Sequence, residues 1–173
     1  MHQLLEQIVV TGLKTEAPPA PDEALRAIAQ RLGKAILDKL GQALVIRHVD
    51  PGSCNGCELE IHALNNPYYN IEALGIKFAA SPKHADMLLV TGPVAKNMEF
   101  ALKRAYECTP EPKLVVAVGD CGCGSGKCGK IFCESYASCG RVANVIPVDV
   151  AVPGCPPTPL ALMQGILTAI DGK

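Results

Sequence analysis

Aromatic side chains are nearly missing: the 173 residues include no Trp, three Phe and four Tyr. A core built without them must come from Leu, Ile, Val and Ala. Apolar residues make up 49% of the chain, well above what a disordered chain carries, and the length suits one domain. No run approaches the roughly 20 continuous apolar residues of a membrane span. Net charge is only -1, so no strong field draws the chain to nucleic acid or anionic lipid, and nucleic acid is excluded as a partner. The opening residues 1–20 show neither a basic stretch ahead of a long apolar run nor a twin arginine. Export is therefore not expected.

Cysteine is what the chain has in excess: Cys54, Cys57, Cys108, Cys121, Cys123, Cys128, Cys133, Cys139 and Cys155. An odd count, no export signal and a large apolar content argue against a secreted disulfide scaffold. In a reducing compartment, clustered cysteines more often bind metal.

The order of elements sets where these cysteines fall. Leu4, Leu5, Ile8 and Val9 make one face of a short helix, and residues 16–21 have the composition of a linker. Asp22 caps a helix through Leu40, stopped by Gly41, with Leu25, Ile28, Leu32 and Ile36 at helical spacing. That stripe either packs on its own domain or docks on a partner. Strands are expected over 43–49, 76–80, 87–90, 114–118 and 144–148, and helices over 57–64, 93–107 and 159–170. The continuous apolar runs Met87–Val90 and Leu114–Val118 suit strands buried on both faces. The alternation predicts an α/β fold, a flavodoxin-like parallel sheet with helices on both faces plus an N-terminal helical extension.

Three cysteine sites follow predicted strands: Cys54-Asn55-Gly56-Cys57, Cys121, and Cys155 in Val152-Pro153-Gly154-Cys155-Pro156-Pro157. In an open parallel sheet the loops beyond the carboxyl ends converge on one edge. Four thiolates are what a [4Fe–4S] cluster takes. Gly52, Gly56, Gly119, Gly122 and Gly154 let backbone approach a bulky inorganic core. Cys57 falls at a helix N-terminus, where the dipole favours thiolate. A zinc ribbon wants two compact Cys-x-x-Cys pairs and only one is present. A thioredoxin-like dithiol does not need Cys121 or Cys155. The spacing favours a metal site over a set of small buried hydrophobes.

Three motifs in order carry a resemblance. Asp50-Pro51-Gly52-Ser53-Cys54-Asn55-Gly56-Cys57-Glu58-Leu59-Glu60-Ile61 resembles the cluster-binding start of small subunits of energy-converting [NiFe] hydrogenases such as formate hydrogenlyase. Ser81-Pro82-Lys83-His84-Ala85-Asp86 with Met87–Pro93, and Ile146–Val150 with Val152–Pro159, resemble their later motifs. The resemblance covers roughly residues 43–170 and extends to the related 20-kDa-type subunits of respiratory complex I. That branch is known for adjacent cysteines in its first motif. Here Asn55-Gly56 separates Cys54 from Cys57, as in hydrogenases. The chain ends soon after the Cys155 motif and so resembles the short, single-cluster version.

Carried over residue by residue, the resemblance implies Cys54, Cys57, Cys121 and Cys155 as ligands of one [4Fe–4S] cluster, with Cys123 the rival for the third. It divides the chain into an N-terminal helical extension and linker, residues 1–42, and a [4Fe–4S]-binding α/β domain, residues 43–173. Cys123, Cys128, Cys133 and Cys139 are expected to be unligated, the alternatives being a second metal or a disulfide. The resemblance implies an oxidoreductase subunit with no complete active site on this chain. Its partners are a hydrogenase large subunit holding the Ni–Fe centre, a ferredoxin-like iron–sulfur subunit and membrane subunits. The chain is expected on the cytoplasmic face of the membrane, attached through those partners. A quinone-reducing complex I-type subunit and a non-catalytic metal-binding regulatory module are the other readings. Glu58 and His62, one turn apart, suggest either proton coupling or an ordinary capping carboxylate and polar helix face. His84 is expected to stabilise its loop rather than ligate metal.

Overall fold

The structure is a computed structural model and describes residues 2–12, 20 and 22–172. The expected linker lies outside the described residues except for Ala20. The chain starts in α1 (His2–Thr11), which exposes Leu5, Val9 and Val10. Next comes α2 (Glu23–Leu40), with both ends where the sequence predicts them. The Asp22 carboxylate accepts from the amides of Ala24 and Leu25 at 2.9 and 3.2 Å, and Gly41 closes the helix at φ 62°. Its stripe Leu25, Ile28, Leu32 and Ile36 is buried in the chain's own core against the last helix. Of the two uses open to the stripe, packing on its own domain is the one found.

The sheet begins with β1 (Leu44–Val49), followed by α3 (Gly56–Ala63), β2 (Ile76–Phe78) and β3 (Met87–Thr91). The expected helix from Pro93 is replaced at its start by a short strand, β4 (Val94–Ala95), and a 3-10 turn; α4 runs only over Glu99–Cys108. The cause lies in the backbone bonds: the Ala95 amide donates to Pro51 O and the Lys96 amide to Ala137 O, both at 2.9 Å. Then come β5 (Leu114–Val118), α5 (Gly119–Cys123), α6 (Gly126–Ile131), β6 (Ser138–Gly140), β7 (Val150–Val152) and α7 (Pro159–Asp171). The strand expected over 144–148 forms later, at β7. Pro147 has no amide for a ladder, and pairing with β5 starts only at Asp149, whose amide donates to Val115 O at 2.9 Å.

Five strands form one parallel sheet in the order β2-β1-β3-β5-β7, while β4 and β6 make a separate antiparallel pair. This is the flavodoxin-type order, with the switch in chain direction between β1 and β3. Alternate residues feed opposite faces, as the two-residue period of a strand requires. Ile46, Met87, Leu89, Val116 and Val118 pack with α2, α3 and α7; Leu88, Val90, Val115 and Ala117 pack with Leu102 of α4, Val142 and Ile146. All five residues of β3 and of β5 are buried, as their unbroken apolar runs predict. Because the main strands are parallel, the segments after β1, β3, β5 and β7 all leave from the same edge.

Candidate metal centre

Cys54 and Cys57 enter through a tight turn after β1. The Asp50 carboxylate accepts from the amides of Gly52 and Ser53 at 2.9 and 2.6 Å. Asn55 then takes the left-handed conformation at φ 72° and starts α3, so that Cys57 lies in the first turn of that helix. Cys121 sits in the short α5 directly after β5. Its start, Gly119, has φ +84°, and a side-chain carbon there would stand 2.7 Å from Cys57 Sγ. Only glycine allows the β5 loop to lie this close to the Cys57 sulfur. Cys155 comes from the loop after β7. That loop is tied to the Cys121 loop at both ends of one residue: the Asp120 amide donates to Gly154 O, and the Gly154 amide donates to Asp120 Oδ1, each at 2.8 Å.

These three loops, with Gly92-Pro93 after β3, enclose a cavity of about 260 Å³. Cys54, Cys57, Cys121 and Cys155 all line it, at the carboxyl edge of the sheet. Cys57 is buried at its base, Cys121 is half-buried, and Cys54 and Cys155 are exposed at the mouth. Burial, then the Glu58 carboxylate and the three neighbouring cysteines, push the Cys57 thiol up to about 12. Burial and adjacent Cys128 likewise push Cys121 up to about 11. Without a bound cation such thiols keep their protons; a bound metal reverses that preference and expels them. The donor set fits a multinuclear iron–sulfur group: four thiols spread around a cavity, with glycine where a side chain would intrude. Among the described residues, no three His, Cys, Asp or Glu side chains close on a single point as ligands of one metal ion do.

The other cysteines lie elsewhere. Cys123, the rival for the third position, does not line the cavity; its Sγ donates to Ala117 O at 3.5 Å and packs on the second sheet face. Cys139 is buried in that same cluster, its thiol 3.4 Å from Glu99 Oε2. Cys133 and Cys108 are exposed. Cys128 is the exception, with its Sγ 3.4 Å from Cys155 Sγ.

Glu58 does not pair with His62, which is exposed. It turns inward, 6% exposed, accepting from Ser53 Oγ at 2.8 Å through Oε2. Its Oε1 has no hydrogen-bond partner and lies 3.5 Å from His48 Nε2. Burial lowers the pKa of His48, against the pull of Glu58, and His48 Nε2 also lies 3.0 Å from Thr91 Oγ1. His84 is exposed in its 3-10 turn, where the Ser81 hydroxyl accepts from the Lys83 amide. Sequence reasoning missed His48 and Asp120. Neither carries a spacing signal, because each acts through partners on distant segments.

The chain is similar to known proteins. Residues 54–169 match the family described as NADH ubiquinone oxidoreductase, 20 kDa subunit. The chain is 46% identical over 132 residues to the probable membrane-bound hydrogenase subunit mbhJ of Pyrococcus furiosus, covering 76% of this chain and 77% of that one. It is 40% identical over 152 residues to formate hydrogenlyase subunit 7 of Escherichia coli, covering 88% of this chain and 58% of that relative's length. A chain from the structure of the membrane-bound sulfane sulfur reductase, an archaeal respiratory membrane complex, superposes with a TM-score of 0.62 at 30% identity, over 87% of this chain and 75% of that one. Of the two sequence relatives, one is named as a probable membrane-bound hydrogenase subunit and the other as a formate hydrogenlyase subunit, the names to which the three motifs pointed. By the matched residues and the close relatives alike, the chain belongs to the family of the 20 kDa subunit of NADH ubiquinone oxidoreductase.

Proposed function

We propose that this chain is the electron-transfer small subunit of a membrane-associated [NiFe] hydrogenase, with Cys54, Cys57, Cys121 and Cys155 holding one [4Fe–4S] cluster. The observation that carries the reading is the cavity that gathers these four thiols from three loops at one sheet edge. A bound cluster supplies one-electron exchange between a ferredoxin-like subunit and the Ni–Fe centre of a partner large subunit. The chain's own residues position the thiols, keep Cys57 away from water and leave the mouth open for a partner to cover. Residues 43–173 form the cluster-holding unit, and residues 1–42 the helical extension, of which α2 shares the core. Among the described residues no helix is long and apolar enough to cross a membrane. Attachment through membrane subunits on the cytoplasmic side fits the membrane-bound assemblies of the relatives. The separation of Cys54 from Cys57 supports the hydrogenase over the quinone-reducing reading.

Anaerobic reconstitution of the full chain with iron and sulfide tests the ligand set. The wild type should take up about four iron per chain. Cys54→Ser, Cys57→Ser, Cys121→Ser and Cys155→Ser should each lose or convert the cluster, whereas Cys123→Ser and Cys108→Ser should keep it. Full iron in Cys121→Ser together with loss in Cys123→Ser would transfer the third position. Copurification with a nickel-containing large subunit, and reduction of the cluster by H2 in that complex, supports the hydrogenase reading; reduction by quinol alone overturns it.

A further inference from the structure

Cys128 is a fifth thiol at the rim of the cavity. Its Sγ is 3.4 Å from Cys155 Sγ. The approach is built by the backbone. Asp120 Oδ1 accepts from the Gly154 amide at 2.8 Å and from Ser125 Oγ at 3.2 Å, so one carboxylate pins the segment before Cys128 to the segment before Cys155. The Ser125 amide donates to Asp120 O, and the Gly129 amide to Ser125 O, both at 2.9 Å. At Gly126, with φ +61°, a side-chain carbon would fall 2.2 Å from Asp120 Oδ2, so only glycine lets α6 start there. Cys155 is exposed and Cys128 half-buried, open to a small reagent. Cys123, five residues before Cys128, faces away toward Ala117 O.

We propose that in the cluster-free chain Cys128 and Cys155 form a reversible disulfide that withholds Cys155 from the cluster until it is reduced. The proposal rests on the reading of Cys155 as a ligand. Bond formation closes the sulfurs from 3.4 Å to roughly 2.05 Å. The oxidant is a low-molecular-weight disulfide. One protein thiolate attacks it, forming a mixed disulfide and releasing one small thiol; the second protein thiolate then displaces the other. The small disulfide's S–S bond breaks, one protein S–S bond forms, and the two protein thiol protons end on the two released thiols. A dithiol reductant reverses both steps. Once a partner covers the cavity mouth neither sulfur is reachable, so the lock acts on the unassembled chain.

The test uses the full chain, cluster-free and reduced, with oxidised glutathione as oxidant. Peptide mapping without reductant should find a Cys128–Cys155 cross-link. Iron uptake should fall about tenfold or more, because the cross-link removes one of the four thiolates proposed to hold the cluster, and dithiothreitol should restore it. Cys128→Ser should show no cross-link at Cys155 and should take up iron equally with and without the oxidant. A cross-link between other cysteines, or a Cys128→Ser chain blocked as fully as the wild type, overturns the lock. Reduced Cys128→Ser binding less iron than reduced wild type also overturns it, by making Cys128 a ligand. If reduced wild type takes up no iron, the cluster reading is what fails, and the peptide map still decides whether the two sulfurs pair.

Discussion

At the scale of single residues the site rests on a few side chains whose work is to bring segments together. That Cys54, Cys57, Cys155 and a cysteine after β5 come to one cavity was legible in the sequence, because loops after parallel strands meet at one edge. The choice of Cys121 over Cys123 came from the motif resemblance and not from the spacing. In the structure it depends on the turn at Gly119, which aims residue 121 into the cavity and residue 123 back into the sheet. Asp86 and Asp149 were equally silent. Each extends a ladder by one rung: the Val45 amide donates to Asp86 Oδ2 at 2.9 Å and the Val115 amide to Asp149 Oδ2 at 2.7 Å. Gly119 offers a sharp test. Gly119→Ala should cost about 1–3 kcal/mol from its left-handed backbone, and should also lower iron retention, because the new carbon meets Cys57 Sγ at 2.7 Å. Gly41→Ala shares the left-handed backbone but meets nothing within 4 Å, so it should lose stability alone. Urea unfolding and iron content per chain separate the two effects. Wild-type iron in Gly119→Ala would show that this glycine does not shape the cavity.

Among the elements, those with a strong period or a clean cap were readable. The α2 boundaries followed from Asp22 and Gly41, and β3 and β5 from unbroken apolar runs. What failed to show were elements fixed by distant backbone bonds. β4 exists because Pro51 and Ala137 take the amides of Ala95 and Lys96, and α5 and α6 are too short for any periodicity to register. The use of α2 was also undecided by sequence, since an apolar stripe looks the same whether a partner or the chain itself covers it. The structure buries Leu32 completely and joins the end of α2 to α7, with Lys39 Nζ donating to Ile170 O and Asp171 O at 2.9 and 3.0 Å. A basic group at a helix carboxyl end satisfies carbonyls that have no intrahelical partner. Leu32→Ala should therefore destabilise the isolated chain by about 2–5 kcal/mol. Leu37→Ala, on the exposed side of the same helix at 70% exposure, should stay within about 0.5 kcal/mol. Denaturant midpoints of both variants check this. Near-equal midpoints would mean that α2 is not part of the domain core.

For the whole molecule, one edge of the sheet differs from the rest. There two of the four cavity cysteines lie open, beside the exposed apolar side chain of Phe132, which lines the cavity itself. A cluster that exchanges electrons with a partner's centre gains from having water excluded at this mouth, and a large obligate interface provides that exclusion. Elsewhere, the buried strands are covered on both faces by the chain's own helices, so the cavity mouth is the surface that the proposed function needs covered. Hydrogen exchange compares the isolated chain with its complex with the large subunit. The amides of residues 52–56 and 119–133, and those of Gly154 and Cys155, are expected to gain protection in the complex, while those of α2 and α7 should change little because each already packs on the other. Without the partner, the reconstituted chain should lose its cluster to air faster than the complex does. Equal exposure of the three loops in both states would remove the geometric basis for electron transfer and favour a regulatory metal-binding role. Protection confined to α1, whose Leu5, Val9 and Val10 are exposed, would instead place the partner on the extension and away from the cavity.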